Sequence, residues 1–195
     1  MKQISKETLV KISKYLAFVL RHHPESVGIT LNEEGFTDLP PLLKMLNDKF
    51  KATIGGELTE NTIKEIIQQS DKLRYEIVGN KIRALYGHSV PTKIVLKEAT
   101  EVPSILYHGT TLKAYRAIKI DGIKKRNRQF VHLTDNIKNA IEVSKRRTQD
   151  PVVLSVDTAA ARNEGIKFYK AGDMYLTDDI PPKFLSVQIP KRLNS

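Results

Sequence analysis

The chain of 195 residues contains no cysteine, which excludes structural disulfides and thiolate metal sites. It has no apolar run approaching the roughly 20 residues that span a bilayer, and Met1-Lys2 leads into no signal-peptide core. We therefore expect a cytoplasmic protein without a membrane segment. Hydrophobic residues make up 40% and charged residues 28% of the chain, so it can bury a core.

Several familiar catalytic signatures are also missing. The sequence has no G-x-x-x-x-G-K-[ST] phosphate loop, no G-x-G-x-x-G after a strand, no H-E-x-x-H and no G-x-S-x-G. Its five histidines are too scattered along the chain to form a metal motif. The sequence thus predicts no metal site, and its candidate functional groups are arginine and histidine side chains.

Positive charge is in excess and is unevenly placed. The chain has 32 basic and 22 acidic side chains, a net charge of +10. Residues 113–147 alone contain eleven basic and three acidic side chains. Such a run is either a solvated helix face or a surface for a phosphate-rich partner, and composition leaves both open.

The first ninety residues show the pattern of three helices followed by a β-hairpin. Ser5, Asp38 and Thr59 each precede apolar residues at helical spacing and can cap a helix. Gly79-Asn80 suits the tight turn of a hairpin. This order is the layout of a winged helix, although a fold alone does not assign a function.

A two-residue hairpin turn fixes which residues oppose one another. It pairs Glu76 with Arg83 and Ile77 with Ile82. The nearby Arg74 is then either a surface strand residue beside Glu76 or a ligand-binding group.

The remainder of the chain is interpreted as a connection at 91–103 and a strand-rich lobe at 104–195 with two or three short helices. One helix should end at Asp121-Gly122, and another should be capped by Thr134 or Asp135 with Ile137 facing inward. Strands are predicted at 104–107, 130–133, 152–156, 167–169, 174–176 and 184–189.

Two groups of residues in this second lobe could bind a nucleotide. The first strand runs into His108-Gly109-Thr110 at a predicted turn, where glycine would allow close approach of a ligand. Histidine and threonine can both hydrogen-bond ribose hydroxyls. The alternative is a turn with a buried, satisfied His108, and for His132 the alternative is a core histidine in an apolar strand.

Arginines at the ends of other predicted elements could bind phosphate, because a guanidinium can donate two hydrogen bonds to phosphate oxygens. Arg21-His22 lies at the end of the first helix, just before Pro24, where cations are also stabilised without any function. Arg128 lies at the start of a strand among other basic residues, so a solvated loop is the alternative there. Spacing does not establish that these arginines converge.

An ordered set of motifs resembles the RNA 2′-phosphotransferase family, the NAD-dependent enzymes that remove the splice-junction 2′-phosphate from tRNA. The motifs are Leu16-Ala17-Phe18-Val19-Leu20-Arg21-His22-His23-Pro24, Gly35-Phe36, Lys72-Leu73-Arg74-Tyr75-Glu76-Ile77, Ile82-Arg83-Ala84, Gly87-His88-Ser89, Leu106-Tyr107-His108-Gly109-Thr110 and Val131-His132-Leu133. Together they extend over nearly the whole chain.

The resemblance implies an α+β protein with an N-terminal winged-helix lobe (1–90) and a C-terminal ADP-ribosyltransferase-like lobe (104–195). It implies a catalytic set of Arg21, His22, Arg74 and Arg128. NAD-binding positions would be His108, Gly109, Thr110 and His132, with no metal. Phe130 departs from the pattern, since the family commonly has histidine there.

The implied partners are a tRNA-like RNA carrying a 2′-phosphate and NAD, which is consumed, and the protein is expected to be a monomer. Transfer proceeds through 2′-phospho-ADP-ribosylated RNA and gives nicotinamide, RNA with a 2′-OH and ADP-ribose 1″,2″-cyclic phosphate. Two alternatives remain: an ADP-ribosyltransferase that caps terminal phosphates of RNA or DNA, and a winged-helix nucleic-acid-binding protein without catalysis.

Overall fold

The computed structural model describes residues 4–70 and 72–188 and divides the chain into two compact units, Met1–Leu96 and Lys97–Ser195. The described residues form six α-helices and nine strands in three small antiparallel sheets. This confirms the predicted mixture of helices and strands. Every helix in the described ranges is too short or too polar to cross a membrane.

The first unit contains the three predicted helices, and each begins after its predicted cap. They are α1 (Lys6–Arg21), α2 (Leu39–Ile54) and α3 (Glu60–Gln68). The Ser5 Oγ accepts a hydrogen bond from the backbone N–H of Thr8 at 3.3 Å. A short 3-10 helix, Pro24–Val27, follows α1 because proline cannot continue the α-helix.

The hairpin forms with the predicted register. Strand β1 is Phe36–Asp38, β2 is Tyr75–Val78 and β3 is Lys81–Ala84, in the sheet order β1-β3-β2. Glu76 opposes Arg83, and the carboxylate Oε2 lies 2.6 Å from Nη2 of Arg83.

The sequence analysis predicts no strand at the position of β1. Ile29 and Leu31, which precede it, lie outside any strand. Instead the Oδ1 of Asn32 accepts hydrogen bonds from the N–H groups of Glu34 and Phe36, and this turn leads the chain into β1.

A single apolar cluster holds the helices of this unit against the hairpin. Its fully buried members, with 0% exposure, include Ile12, Leu16, Val19, Leu20, Leu39, Leu42, Leu46, Ile63 and Ile82. Because four of these residues lie on α1, the position of the C-terminal end of that helix is fixed by core packing.

Among its described residues, the second unit contains two antiparallel sheets and three α-helices. The strands are β4 (Ile105–Thr111), β5 (Val131–Leu133), β6 (Pro151–Asp157), β7 (Phe168–Ala171), β8 (Met174–Thr177) and β9 (Leu185–Gln188). Their sheet orders are β4-β6-β9 and β5-β8-β7. The helices are α4 (Leu112–Asp121), α5 (Ile137–Lys145) and α6 (Thr158–Asn163). An antiparallel bridge between Tyr107 and Thr134 links the two sheets.

Two local predictions in this unit are wrong. The cap of α5 is Asn136, whose side chain accepts the N–H of Lys138 at 2.9 Å, and not Thr134 or Asp135. Thr134 is instead held in its bridge with Tyr107, and Ile137 is exposed rather than inward. For the last predicted strand, Ile189 lies outside the described residues.

Candidate functional site

Arg21 and His22 lie at the C-terminal end of α1, where the segment that follows β3 contacts both. The backbone N–H of Ser89 donates to the carbonyl oxygen of Arg21 at 2.9 Å. The Oγ of Ser89 lies 2.8 Å from Nδ1 of His22. The two predicted residues are therefore fixed from outside their own helix.

The guanidinium of Arg21 lies over two tyrosine rings and is largely enclosed. Its Cζ lies 5.7 Å from the ring centre of Tyr75 and 5.0 Å from that of Tyr86. Its Nε and Nη2 are buried without a hydrogen-bond partner among the described residues. Burial lowers the pKa of Arg21, partly offset by the two tyrosines, yet arginine remains protonated in proteins. An anion would satisfy these donors.

Arg74 places a second cation near the first. Its carbonyl accepts the N–H of Leu85 at 2.9 Å, which extends the hairpin, and its charge further lowers the pKa of Arg21. Across residues 4–70 and 72–188, no carboxylate forms an ion pair with Arg74 or Arg21. The alternative for Arg74 was a surface strand residue beside Glu76; Arg74 lies just before β2 and has no ion pair with Glu76, whose carboxylate pairs with Arg83.

His88 is a site neighbour that sequence reasoning missed. It is only 5% exposed, and its Nε2 has no hydrogen-bond partner within the described part of the chain. Burial, followed by the charges of Arg21, His22 and Arg83, lowers the pKa of His88 to about 4. It is therefore neutral at pH 7. One sequence signal could have found His88: it lies in the family motif Gly87-His88-Ser89, to which the sequence analysis assigns no function.

In the second unit, three of the predicted residues form a connected set. Nη1 of Arg128 lies 3.4 Å from Nε2 of His132, and the carbonyl of His132 lies 3.0 Å from Nδ1 of His108. Because a carbonyl only accepts, Nδ1 of His108 carries the proton. Protein surrounds His108 on most sides while part of its surface stays accessible, and burial lowers its pKa.

The structure contradicts the predicted turn at His108-Gly109-Thr110. All three residues lie inside β4 and pair with Leu154, Val153 and Val152 of β6. A Cβ on Gly109 would lie 1.9 Å from the carbonyl oxygen of Ala140 in α5. The close approach that glycine permits here is thus to a helix of the same unit, and Thr110 is buried beside it.

Phe130, the departure from the family pattern, is buried and packs edge-on against Tyr169, with ring centres 5.5 Å apart. It therefore contributes an apolar contact, whereas a histidine would contribute a hydrogen-bonding group. Among the described residues, no group of three or more histidine, aspartate or glutamate side chains could hold a metal ion.

Comparison with known proteins places this chain in a family. The sequence model of the RNA 2′-phosphotransferase, Tpt1/KptA family matches residues 7–179. The chain belongs to this family. The matched region of the RNA 2′-phosphotransferase family includes every predicted site residue.

Several members of the RNA 2′-phosphotransferase family are closely similar to the chain along most of its length. It is 43% identical over 178 residues to a probable RNA 2′-phosphotransferase of Acetivibrio thermocellus, covering 90% of this chain and 94% of that protein. It is 41% identical over 162 residues to a protein of the same description from Pyrococcus horikoshii, covering 83% and 88%. A third, from Bacillus thuringiensis, is 37% identical over 177 residues, covering 90% and 94%.

Proposed function

We propose that this protein removes an internal 2′-phosphate from RNA by transferring it to NAD. One observation carries the proposal within the first unit: the buried Nε and Nη2 of Arg21 have no partner among the described residues, and the second cation nearby, Arg74, is likewise without a carboxylate there. A buried guanidinium with unused donors is costly unless a ligand satisfies it. Family membership identifies RNA 2′-phosphate as the appropriate anion.

The first unit supplies the phosphate-binding groups. Arg21 and Arg74 bind the phosphate oxygens and neutralise their charge, since guanidinium groups bind phosphate in bidentate geometry. His22, held by Ser89, is the proton donor in this proposal because histidine is the side chain most often used as a general acid. The three helices and three-stranded sheet support its interpretation as a winged-helix lobe.

The second unit supplies the NAD-binding groups. His108 has its proton at Nδ1, so its neutral ring offers Nε2 as an acceptor for a ribose hydroxyl. His132 and Thr110 add further polar groups, and Gly109 lets β4 lie directly against α5. Arg128 contacts His132. Because of the family resemblance, Arg128 is assigned to bind the phosphate during its transfer. The paired antiparallel sheets support an ADP-ribosyltransferase-like lobe.

The proposed reaction has two steps. An oxygen of the RNA 2′-phosphate forms a bond to C1″ of the nicotinamide ribose, and nicotinamide leaves with the electrons of the C–N bond. The ribose 2″-hydroxyl then loses its proton to solvent as O2″ attacks phosphorus, the P–O2′ bond breaks, and the RNA oxygen receives a proton from His22. Arginine charges stabilise the phosphate in both steps, so this scheme routes no step through a metal.

The test uses NAD and a short RNA with a single internal 2′-phosphate. We expect three products: nicotinamide, RNA with a 2′-OH, and ADP-ribose 1″,2″-cyclic phosphate. A matched RNA with only a terminal phosphate tests the capping alternative, which a stable ADP-ribosylated end would establish. Salt-dependent duplex binding with no NAD consumption would establish the non-catalytic alternative and overturn the proposal.

A further inference from the structure

The segment Gly87–Ser89 follows β3 and returns along the end of α1. None of its three residues has a role in the chemistry proposed above. Yet each lies close to Arg21 or His22. The backbone of Gly87 passes the Arg21 side chain, the buried His88 is near enough for both charges to lower its pKa, and Ser89 hydrogen-bonds His22. The segment therefore lies where it can control the geometry of those two side chains.

Gly87 allows the chain to pass beneath Arg21. Its φ is +92°, a backbone conformation that side chains disfavour. A Cβ at this position would lie 3.4 Å from Cδ and 3.5 Å from Nη1 of Arg21. The positive φ therefore accounts for glycine at this position, since a Cβ would meet the Arg21 side chain only at ordinary van der Waals distance.

Ser89 holds the helix end through its backbone. The last carbonyl groups of an α-helix have no partner within the helix. At the end of α1, the N–H of Ser89 supplies a partner to the carbonyl oxygen of Arg21 at 2.9 Å. This bond fixes the peptide that joins Arg21 to His22.

Ser89 also holds the imidazole of His22 through its side chain, with Oγ 2.8 Å from Nδ1. When the ring is protonated, Nδ1–H donates to this oxygen. The ring orientation is then set, and the proton exchanged with a substrate is assigned to Nε2. Such a contact is the usual means of orienting a histidine in proton transfer.

We propose that Ser89 is a positioning residue that fixes the imidazole of His22 and the adjoining end of α1 for proton transfer to the RNA oxygen. The inference rests on the function proposed above. Ser89 touches neither reacting group in this scheme and acts through His22.

The experiment compares Ser89→Ala and Ser89→Thr with Ser26→Ala. Ser26 is a matched control because its Oγ donates to the carbonyl of the neighbouring His23 and touches neither Arg21 nor His22. Ser89→Ala should lower kcat roughly tenfold, the effect of one hydrogen bond, with little change in KM for RNA. The ADP-ribosylated RNA should accumulate because the second step uses the His22 proton. Ser89→Thr, which keeps the hydroxyl, should restore kcat to within about twofold of the unsubstituted protein.

A second readout does not depend on activity. Ring ¹⁵N chemical shifts of His22, identified by their loss in His22→Gln, should change in Ser89→Ala and remain unchanged in Ser26→Ala. Unchanged shifts and unchanged kcat in Ser89→Ala would overturn the inference. If the unsubstituted protein removes no 2′-phosphate, the proposed function fails, while the chemical shifts still decide whether Ser89 orients His22.

Discussion

Two arginines of one hairpin have opposite surroundings in the first unit. Arg83 is bonded to the Glu76 carboxylate and lies 4.4 Å from the ring centre of Phe36. Arg74, two positions before Glu76, has no ion pair within residues 4–70 and 72–188 and lies near Arg21. Because the two guanidinium groups have the same charge on the same element, they form a natural comparison.

Arg74→Ala should reduce 2′-phosphate removal about 100-fold, the loss expected for two charge-assisted hydrogen bonds of roughly 1.5 kcal/mol each. Arg83→Ala should leave activity within about threefold and lower the free energy of unfolding by at most about 1 kcal/mol, since its ion pair is partly exposed. Single-turnover rates and urea unfolding of both variants provide the measurements. Equal activity in the two variants would disprove the phosphate-binding role of Arg74.

At the level of elements, Gly109 determines how α5 packs on β4. A Cβ there would meet the carbonyl oxygen of Ala140 at 1.9 Å and its carbon at 2.8 Å. Both are backbone atoms, so the overlap can be relieved only by moving the helix or the strand. The same strand contains His108, whose Nδ1 lies 3.0 Å from the His132 carbonyl.

Gly109→Ala should therefore lower the free energy of unfolding by about 2–3 kcal/mol, as overpacking does. Gly56→Ala is the control, because a Cβ at Gly56 meets nothing within 4 Å and its φ is not in the left-handed region. Urea unfolding should show Gly56→Ala near the unsubstituted protein. A small effect of Gly109→Ala would mean that α5 shifts at little cost.

The elements differ in how far sequence predicts them. The hairpin register follows from the two-residue turn at Gly79-Asn80 and from alternation, which are local properties. The continuation of β4 through Gly109 does not, because it depends on pairing with Val153 of β6, which is distant in sequence and adjacent only after folding.

In the candidate site, too, some features can be predicted from local sequence and others depend on residues that are distant in sequence. Motifs identify Arg21, His22 and Arg74 as candidates, and their assignment as phosphate ligands stays a prediction. The role of Ser89 could not be read from spacing, since its contacts with Arg21 and His22 span 67 or more positions in the sequence.

For the molecule as a whole, the question is what the net charge of +10 does. The basic segment 113–147 is not uniform, because Lys124 and Lys125 are paired with Asp179 and Asp178. The α4 residues Lys113, Arg116 and Lys119 are exposed, and no ion pair is found for them in the described part of the chain. Their spacing of three places them along one side of the helix.

If this side of α4 holds an RNA backbone, replacing Lys113, Arg116 and Lys119 together by Gln should raise KM for RNA. The slope of log KM against log salt should fall by about one for each phosphate that the variant no longer neutralises. KM for NAD should not change. The matched double variant Lys124→Gln/Lys125→Gln removes cations already neutralised by aspartates, so its salt slope should remain near that of the unsubstituted protein. Identical slopes for all three proteins would assign the basic run to a solvated helix face, since a cation that binds no phosphate releases no counterions from the RNA.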